Sequence, residues 1–230
     1  GQSTLKKAYG KTASESDLKA IQASCLSFKE LLAKHSATGR PQVQINPHVD
    51  VAALPYTGGT TGLPKAATLT HYNVVACLKQ AKVFWPELIE GEETVIAFLP
   101  FFHIYGQVEV MLNSLAQGNT LVLYTAPDWD QILTAVERYQ ASGFFGVPTL
   151  YEFLKEYEKT SRVNWSKLKL IACGADTLHD STKKGFEKRT KSTILEGYGA
   201  TECTSLSHST PMHRPKSGSF GIPISNITAA

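Results

Sequence analysis

The chain has 230 residues, 42% of them hydrophobic and 10% aromatic, enough to bury the core of one large domain or two small ones. Its 23 Lys and Arg against 20 Asp and Glu leave a net charge of +3 without any basic block, which argues against nucleic acid as a partner. Cys25, Cys77, Cys173 and Cys203 lie far apart with no C-x-x-C pair, so neither a zinc site nor a disulfide framework is indicated, and a reducing, cytoplasmic setting fits best. No apolar run approaches the roughly 20 residues needed to span a bilayer, and the opening residues do not read as a signal peptide. A membrane surface stays open as a partner but is not indicated. The first residue is Gly rather than Met, and the chain is expected to be a piece of something longer.

Residues 1–49 are irregular, with "SFKELLAKH" reading as a helix and "SATGRPQVQINPH" as a surface connection. From residue 50 onward, short apolar runs rich in β-branched and aromatic residues predict strands. They are "DVAALPYT" (50–57), "TVIAFLP" (94–100), "NTLVLY" (119–124), "GFFGVP" (143–148), "LKLIACG" (168–174) and "STILEGYG" (192–199). Amphipathic stretches at about 71–85, 105–116, 129–142, 148–159 and 178–189 predict helices between them, several entered by a Thr, Asp or Pro suited to a helix start. Alternating strand and helix predicts an α/β fold, a layered and mostly parallel sheet with flanking helices. Such sheets bind ligands at the carboxyl ends of their strands.

Three stretches fall at such strand ends. "YTGGTTGLPK" (56–65) is expected to follow a strand and precede a helix. Its glycines let backbone N–H groups approach phosphate oxygens, Thr60 and Thr61 add hydroxyls, and Lys65 adds a charge. It is not a Walker loop, because Pro64 precedes the lysine and Ala66 follows it. On composition alone a flexible Gly/Thr turn fits equally well. "GYGATE" (197–202) sets Thr201 and Glu202 where a hydroxyl can bond a phosphate and a carboxylate can hold Mg²⁺, though an ordinary turn before a helix start fits it too. In "LPFFHIYGQ" (99–107), His103 sits among aromatics, a setting that more often packs a histidine than employs it.

Taken together and in this order, the three stretches resemble the adenylate-forming superfamily of acyl-CoA synthetases, aryl-CoA ligases, luciferases and peptide-synthetase adenylation domains. The resemblance covers residues 50–223. The family's phosphate loop reads Tyr-Thr-Ser-Gly-Thr-Thr-Gly-x-Pro-Lys-Gly, and this chain departs from it at Gly58 and Ala66. Gly58 is familiar from bacterial long-chain fatty acyl-CoA synthetases and favours that branch.

The resemblance implies roles residue by residue. Thr57, Gly59, Thr60, Thr61, Gly62 and Lys65 correspond to the mobile loop over the β- and γ-phosphates of ATP. Gly174, Ala175 and Asp176 in "CGADTL" resemble the turn against which adenine packs. Glu196, Gly197, Tyr198, Gly199 and Ala200 match the strand and turn that hold adenine, with Tyr198 stacking on it. Thr201 resembles the residue that bonds the α-phosphate, Glu202 the magnesium ligand, and His103 the residue at the entrance to the carboxylate pocket. Lys65, Thr201, Glu202 and His103 are thus the expected catalytic set. An acyl tunnel is expected to pass Phe102 and a wall from Gly146 to Leu154. ATP, Mg²⁺ and coenzyme A are the implied cofactors, and a carboxylic acid, foremost a fatty acid, the implied partner.

The same resemblance implies that residues 1–49 are a partial N-terminal segment, 50–223 the ATP- and acyl-binding core of a large domain, and 224–230 a tail with the small C-terminal domain absent. An amino-acid or aryl-acid adenylation domain, and a fragment that binds nucleotide without turnover, remain as alternatives.

Overall fold

The computed structural model describes residues 14–35, 39, 41–57 and 64–228. The chain divides into two compact units, Gly1–Ile45 and Asn46–Ala230. In the first, α1 (Glu15–Ser24) starts on a capping box, in which the Ser14 hydroxyl accepts from the Asp17 N–H at 3.1 Å and the Asp17 carboxylate accepts from the Ser14 N–H at 3.0 Å. The stretch predicted as a helix around "SFKELLAKH" forms α2 (Phe28–Lys34), capped by Ser27.

The second unit opens with two short antiparallel ladders. β1 (Val51–Ala53) pairs with β4 (Leu69–Thr70), and β2 (Tyr56–Thr57) pairs with β3 (Lys65–Ala66). The Gly/Thr loop therefore joins two strands of a hairpin, and the predicted strand-to-helix placement is corrected. Lys65 and Ala66, after Pro64, form the return strand and pair with Thr57 and Tyr56. The helix begins later, as α3 (His71–Phe84), where Thr70 and Asn73 cap each other.

Seven strands build the main sheet in the order β11-β10-β9-β8-β7-β5-β6. Here β5 is Thr94–Ala97, β6 Thr120–Leu123, β7 Gly143–Gly146, β8 Leu170–Cys173, β9 Leu195–Ala200, β10 Ser205–Ser209 and β11 Ile222–Pro223. Strands β5 to β9 pair in parallel, and β10 and β11 add antiparallel at the β9 edge, so the sheet is mostly parallel as predicted. The connecting helices are α5 (Trp129–Arg138), α6 (Pro148–Glu156) and α7 (Asp180–Thr190). Before them, α4 is π-helical over Tyr105–Leu112 and finishes as an α-helical turn over Asn113–Ala116.

Successive strand residues point to opposite faces, and both faces are buried. Ile96, Phe144, Ile171 and Cys173 face a core made with Ile132 and Val136 of α5, Leu150, Tyr151 and Leu154 of α6, and Phe186 of α7. Val95, Phe145, Leu170 and Ala172 face the other core, with Ala81 of α3, Trp85 at the end of α3, and Val110 of α4. Burial on both sides explains why these strands read as continuous apolar runs.

Candidate active site

The site forms where β5, β8 and β9 end. After β5 the chain turns through residues 98–103 into α4. The start of this helix lies so close to that turn that a Cβ on Gly106 would stand 2.4 Å from the Pro100 carbonyl oxygen, so only glycine fits there. His103 is exposed, and its Nδ1 accepts the Tyr105 N–H at 3.2 Å. That bond leaves Nδ1 without a proton and makes Nε2 the N–H nitrogen of the neutral ring. After β8, Gly174 and Ala175 turn the chain, with Ala175 held at φ 74, a left-handed conformation that a non-glycine residue rarely adopts.

Strand β9 ends in the one-turn helix Thr201–Cys203, and the chain then reverses into β10 through Thr204 at φ 64. The short polar run "SLSHS" carries no strand signal of its own. It is nonetheless a strand whose serines are buried, with Gly199 opposite Leu206 and Gly197 opposite Ser209.

These strand ends surround one cavity of about 160 Å³. Among its lining residues are His103, Gly174, Ala175 and the whole run Gly197, Tyr198, Gly199, Ala200 and Thr201. Tyr198 is half exposed, and its ring packs against Phe220 at 5.3 Å between centroids and His208 at 6.0 Å.

Other expected site residues lie elsewhere. Thr57 and Lys65 face each other across the hairpin, where the Thr57 hydroxyl donates to the Lys65 carbonyl at 3.2 Å, and neither lines the cavity. Gly59, Thr60, Thr61 and Gly62 lie outside the described residues. Asp176 turns its carboxylate back to accept the Thr177 N–H at 2.7 Å. Glu196 is a structural partner rather than a cavity residue, since its carboxylate accepts from Lys183 of α7 at 2.9 Å, with the Lys183 side chain only 3% exposed. Removing one member of such a pair strands the other charge, so Lys183→Met should lower stability by about 3 kcal/mol in a denaturant melt. A loss under about 0.5 kcal/mol would show that Glu196 regains solvent without it.

The expected acyl wall is also corrected. Leu150, Tyr151 and Leu154 belong to the core on the α5–α7 side of the sheet, and the Tyr151 hydroxyl is tied to the Ala172 carbonyl at 2.7 Å. A Cβ on Gly146 would meet the Tyr151 ring at 2.9 Å, so Gly146→Leu should disturb packing rather than acid preference. Phe102, expected beside the tunnel, is exposed on a surface groove with Val147 that adjoins the cavity, since His103, Tyr105 and Ala175 line both. The cavity is also lined by residues that sequence reasoning missed: Trp85, Glu109, Phe145, Ser205, Leu206 and Ser209. One signal was present, because Glu109 is an acid inside the apolar run "HIYGQVEVML".

Glu109 is 3% exposed, and burial pushes its carboxyl up to about 7 from an ordinary value near 4.5, against weaker opposing effects from Ser205, the Leu206 backbone and the Cys77 thiol. The folded chain thus holds this proton more tightly than the unfolded one. The stabilisation is complete below pH 4.5 and is lost as pH rises to about 7, on the order of 3 kcal/mol. Comparison of the parent chain with Glu109→Gln across that window isolates the effect, and parallel stability curves would contradict it.

Cys173, beside the cavity, has its thiol pushed up to about 12 by burial and does not serve as a nucleophile at neutral pH. Among the described residues no group of three or more His, Cys, Asp or Glu side chains could hold a metal alone. Glu202 nonetheless suits Mg²⁺. It is exposed at the end of β9 and makes no ion pair with a described residue, and Mg²⁺ commonly binds through one or two carboxylates plus phosphate oxygens. No helix among the described residues is long and apolar enough to cross a membrane.

The chain is a mostly parallel α/β sheet with a cavity at its strand ends, edged by the Gly174–Ala175 turn and the last residues of β9. The chain belongs to the AMP-binding enzyme family, whose model matches residues 3–230. It is 34% identical over 188 residues to a long-chain-fatty-acid–CoA ligase of Bacillus subtilis, covering 81% of this chain and 34% of that protein. The chain thus spans about a third of that relative's length. Among solved structures, a long-chain-fatty-acid-CoA ligase from Archaeoglobus fulgidus superposes with a TM-score of 0.74 at 28% identity, covering 86% of this chain and 41% of that one. A malonyl-CoA ligase solved with methylmalonyl-CoA and AMP superposes with a TM-score of 0.70 at 26% identity over 80% of this chain and 40% of that one.

Proposed function

We propose that residues 50–223 are the ATP- and acyl-binding core of an enzyme that activates a carboxylic acid as its adenylate and then passes the acyl group to coenzyme A. The observation that carries this reading is the single cavity joining His103, the Gly174–Ala175 turn and the run from Gly197 to Thr201. In the proposed reaction a carboxylate oxygen attacks the α-phosphorus of ATP, the bond to the bridging oxygen breaks, and pyrophosphate leaves. The thiolate of coenzyme A then attacks the acyl carbon, and AMP departs. No protein nucleophile is needed.

The protein's task is alignment and charge neutralisation. His103 is suited to orient the acid through its Nε2–H, and the Thr201 hydroxyl to bond the α-phosphate. The backbone of Gly174 and Ala175 offers a flat edge for the base, with Tyr198 on the other side. Lys65 and the loop before it supply cationic and N–H contacts for the outer phosphates. Mg²⁺ held by Glu202 would supply Lewis-acid charge on the phosphate oxygens. For the acid, the names of the Bacillus subtilis and Archaeoglobus fulgidus relatives favour a fatty acid. A cytoplasmic location agrees with the two buried, unpaired cysteines.

The test is incubation of this chain, and of the full-length protein that carries it, with ATP, Mg²⁺, a fatty acid and coenzyme A. Mass spectrometry should find thioester with the full-length protein. The chain alone should bind ATP weakly and form none, because adenylation in such enzymes depends on a part that closes over the site. Thioester from the chain at the full-length rate would show that the catalytic unit lies wholly within it, and no thioester from either would refute the reaction.

A further inference from the structure

Two polar groups in the cavity wall are buried without a partner. Glu109 and Trp85 are each 3% exposed, and neither Glu109 Oε2 nor Trp85 Nε1 makes a hydrogen bond among the described residues. Both line the same cavity, whose wall beside them is apolar through Phe145, Leu195 and Leu206. On Glu109 the other oxygen, Oε1, takes a weak contact from the Cys77 thiol at 3.7 Å, and the Ser205 hydroxyl and the Leu206 backbone also act on the carboxyl, so the open atom is Oε2 alone. Buried polar groups are nearly always paired, so two left open in one cavity mark a place for a polar occupant. A plain alkyl chain filling this place would shut Oε2 and the indole N–H away from any partner, which is costly.

We infer that the cavity selects an acid whose far end carries a hydroxyl, which donates to the Glu109 carboxylate and can accept the Trp85 indole N–H. This deepens, and rests on, the reading of the cavity as the acid-binding site. A hydroxyl is the smallest group that both donates and accepts, whereas an ammonium only donates and an ether only accepts. The size agrees. The cavity is about 160 Å³, where about 150 Å³ holds one benzene ring, and part of its wall is the strip proposed for the base, so an acyl group of about six carbons is the upper limit of what it takes. A carboxyl titrating near 7 remains partly ionised at neutral pH and so can accept. Glu109 is thus a specificity-determining residue for acid chemistry rather than for chain length alone.

The experiment is calorimetric titration of this chain, with ATP and Mg²⁺ present, by hexanoic acid and its ω-hydroxy and ω-amino counterparts. The ω-hydroxy acid should bind about 10- to 100-fold more tightly than hexanoic acid. Glu109→Leu should reverse the order, and Glu109→Gln should keep a reduced preference. Trp85→Phe, which retains an aromatic ring, should narrow the preference several-fold and carries the test if Glu109→Leu melts out. Equal affinities, no binding of any acid, tighter binding of the ω-amino acid, or a preference unchanged in the Glu109→Leu and Trp85→Phe proteins would each overturn the inference. Pyrophosphate release by the full-length protein is scored separately. Its absence with every acid would remove the proposed reaction while leaving the cavity's preference to stand or fall on the titrations.

Discussion

Glu202→Ala in the full-length protein should slow acid-dependent pyrophosphate release by two to three orders of magnitude, about 3–4 kcal/mol of transition-state stabilisation. The size follows from the place of the side chain. Glu202 sits in the single turn that ends β9, next to Thr201 on the cavity wall, exposed and without an ion pair to a described residue. Its removal therefore deprives the phosphates of a metal ligand without unpairing anything in the protein. The same substitution should shift the melting temperature by no more than a degree or two, which separates a chemical loss from a folding loss. Turnover near that of the parent at low Mg²⁺ would show that another group holds the metal.

Gly199→Ala should be damaging for a different reason. A Cβ at this position would stand 1.8 Å from the Ser205 carbonyl oxygen and 2.6 Å from its carbonyl carbon, distances that only backbone movement can relieve. The movement would fall on the β9–β10 reversal, where Thr204 and Ser205 already hold positive φ. About 3 kcal/mol or more of stability should be lost, which lowers the melting temperature by about 6–12 °C in a domain of this size. Thr201 and Tyr198 would be displaced with the strand, so ATP affinity should fall in parallel. A protein that melts within about a degree of the parent would mean that the two strands lie farther apart than the structure has them.

The parallel part of the fold was legible because its physics is local. Strands β5, β7 and β8 are buried on both faces, and the helices α5 and α6 carry one apolar stripe each, so these elements declared themselves within their own residues. The pieces that were missed depend on partners distant in sequence. Strand β10 is five residues with one large apolar side chain, and becomes a strand only because Gly199 lets β9 approach it. The hairpin β2–β3 is four described residues, too few to carry a strand signal of their own. The π-helical winding of α4 follows from its crowding against Pro100, which no periodicity announces.

In the candidate site the division is similar. The stretches Gly174–Ala175 and Gly197–Thr201 leave a readable signature in their small residues, as at Gly199, where a Cβ would meet the Ser205 carbonyl. Side chains elsewhere on the cavity wall do not. Trp85 and Glu109 come from α3's end and α4, 24 residues apart, and reading them as neighbours requires knowing which face each helix turns to the sheet. The opposite error affected Leu150, Tyr151 and Leu154, whose apolar character fits a tunnel wall and a core equally well. The pairing of Glu196 was not legible either, because its motif position says nothing of Lys183, which arrives from α7.

The central claim is that the cavity at the ends of β5, β8 and β9 aligns a carboxylate with the α-phosphate of ATP. The most direct measurement is ATP–pyrophosphate exchange by the full-length protein with a panel of carboxylic acids, with coenzyme A omitted. Exchange that appears only when an acid is supplied, saturates with that acid, and falls by two to three orders of magnitude in Glu202→Ala is the predicted result. Exchange absent with every acid, or ATP cleavage that proceeds at the same rate without one, would contradict it.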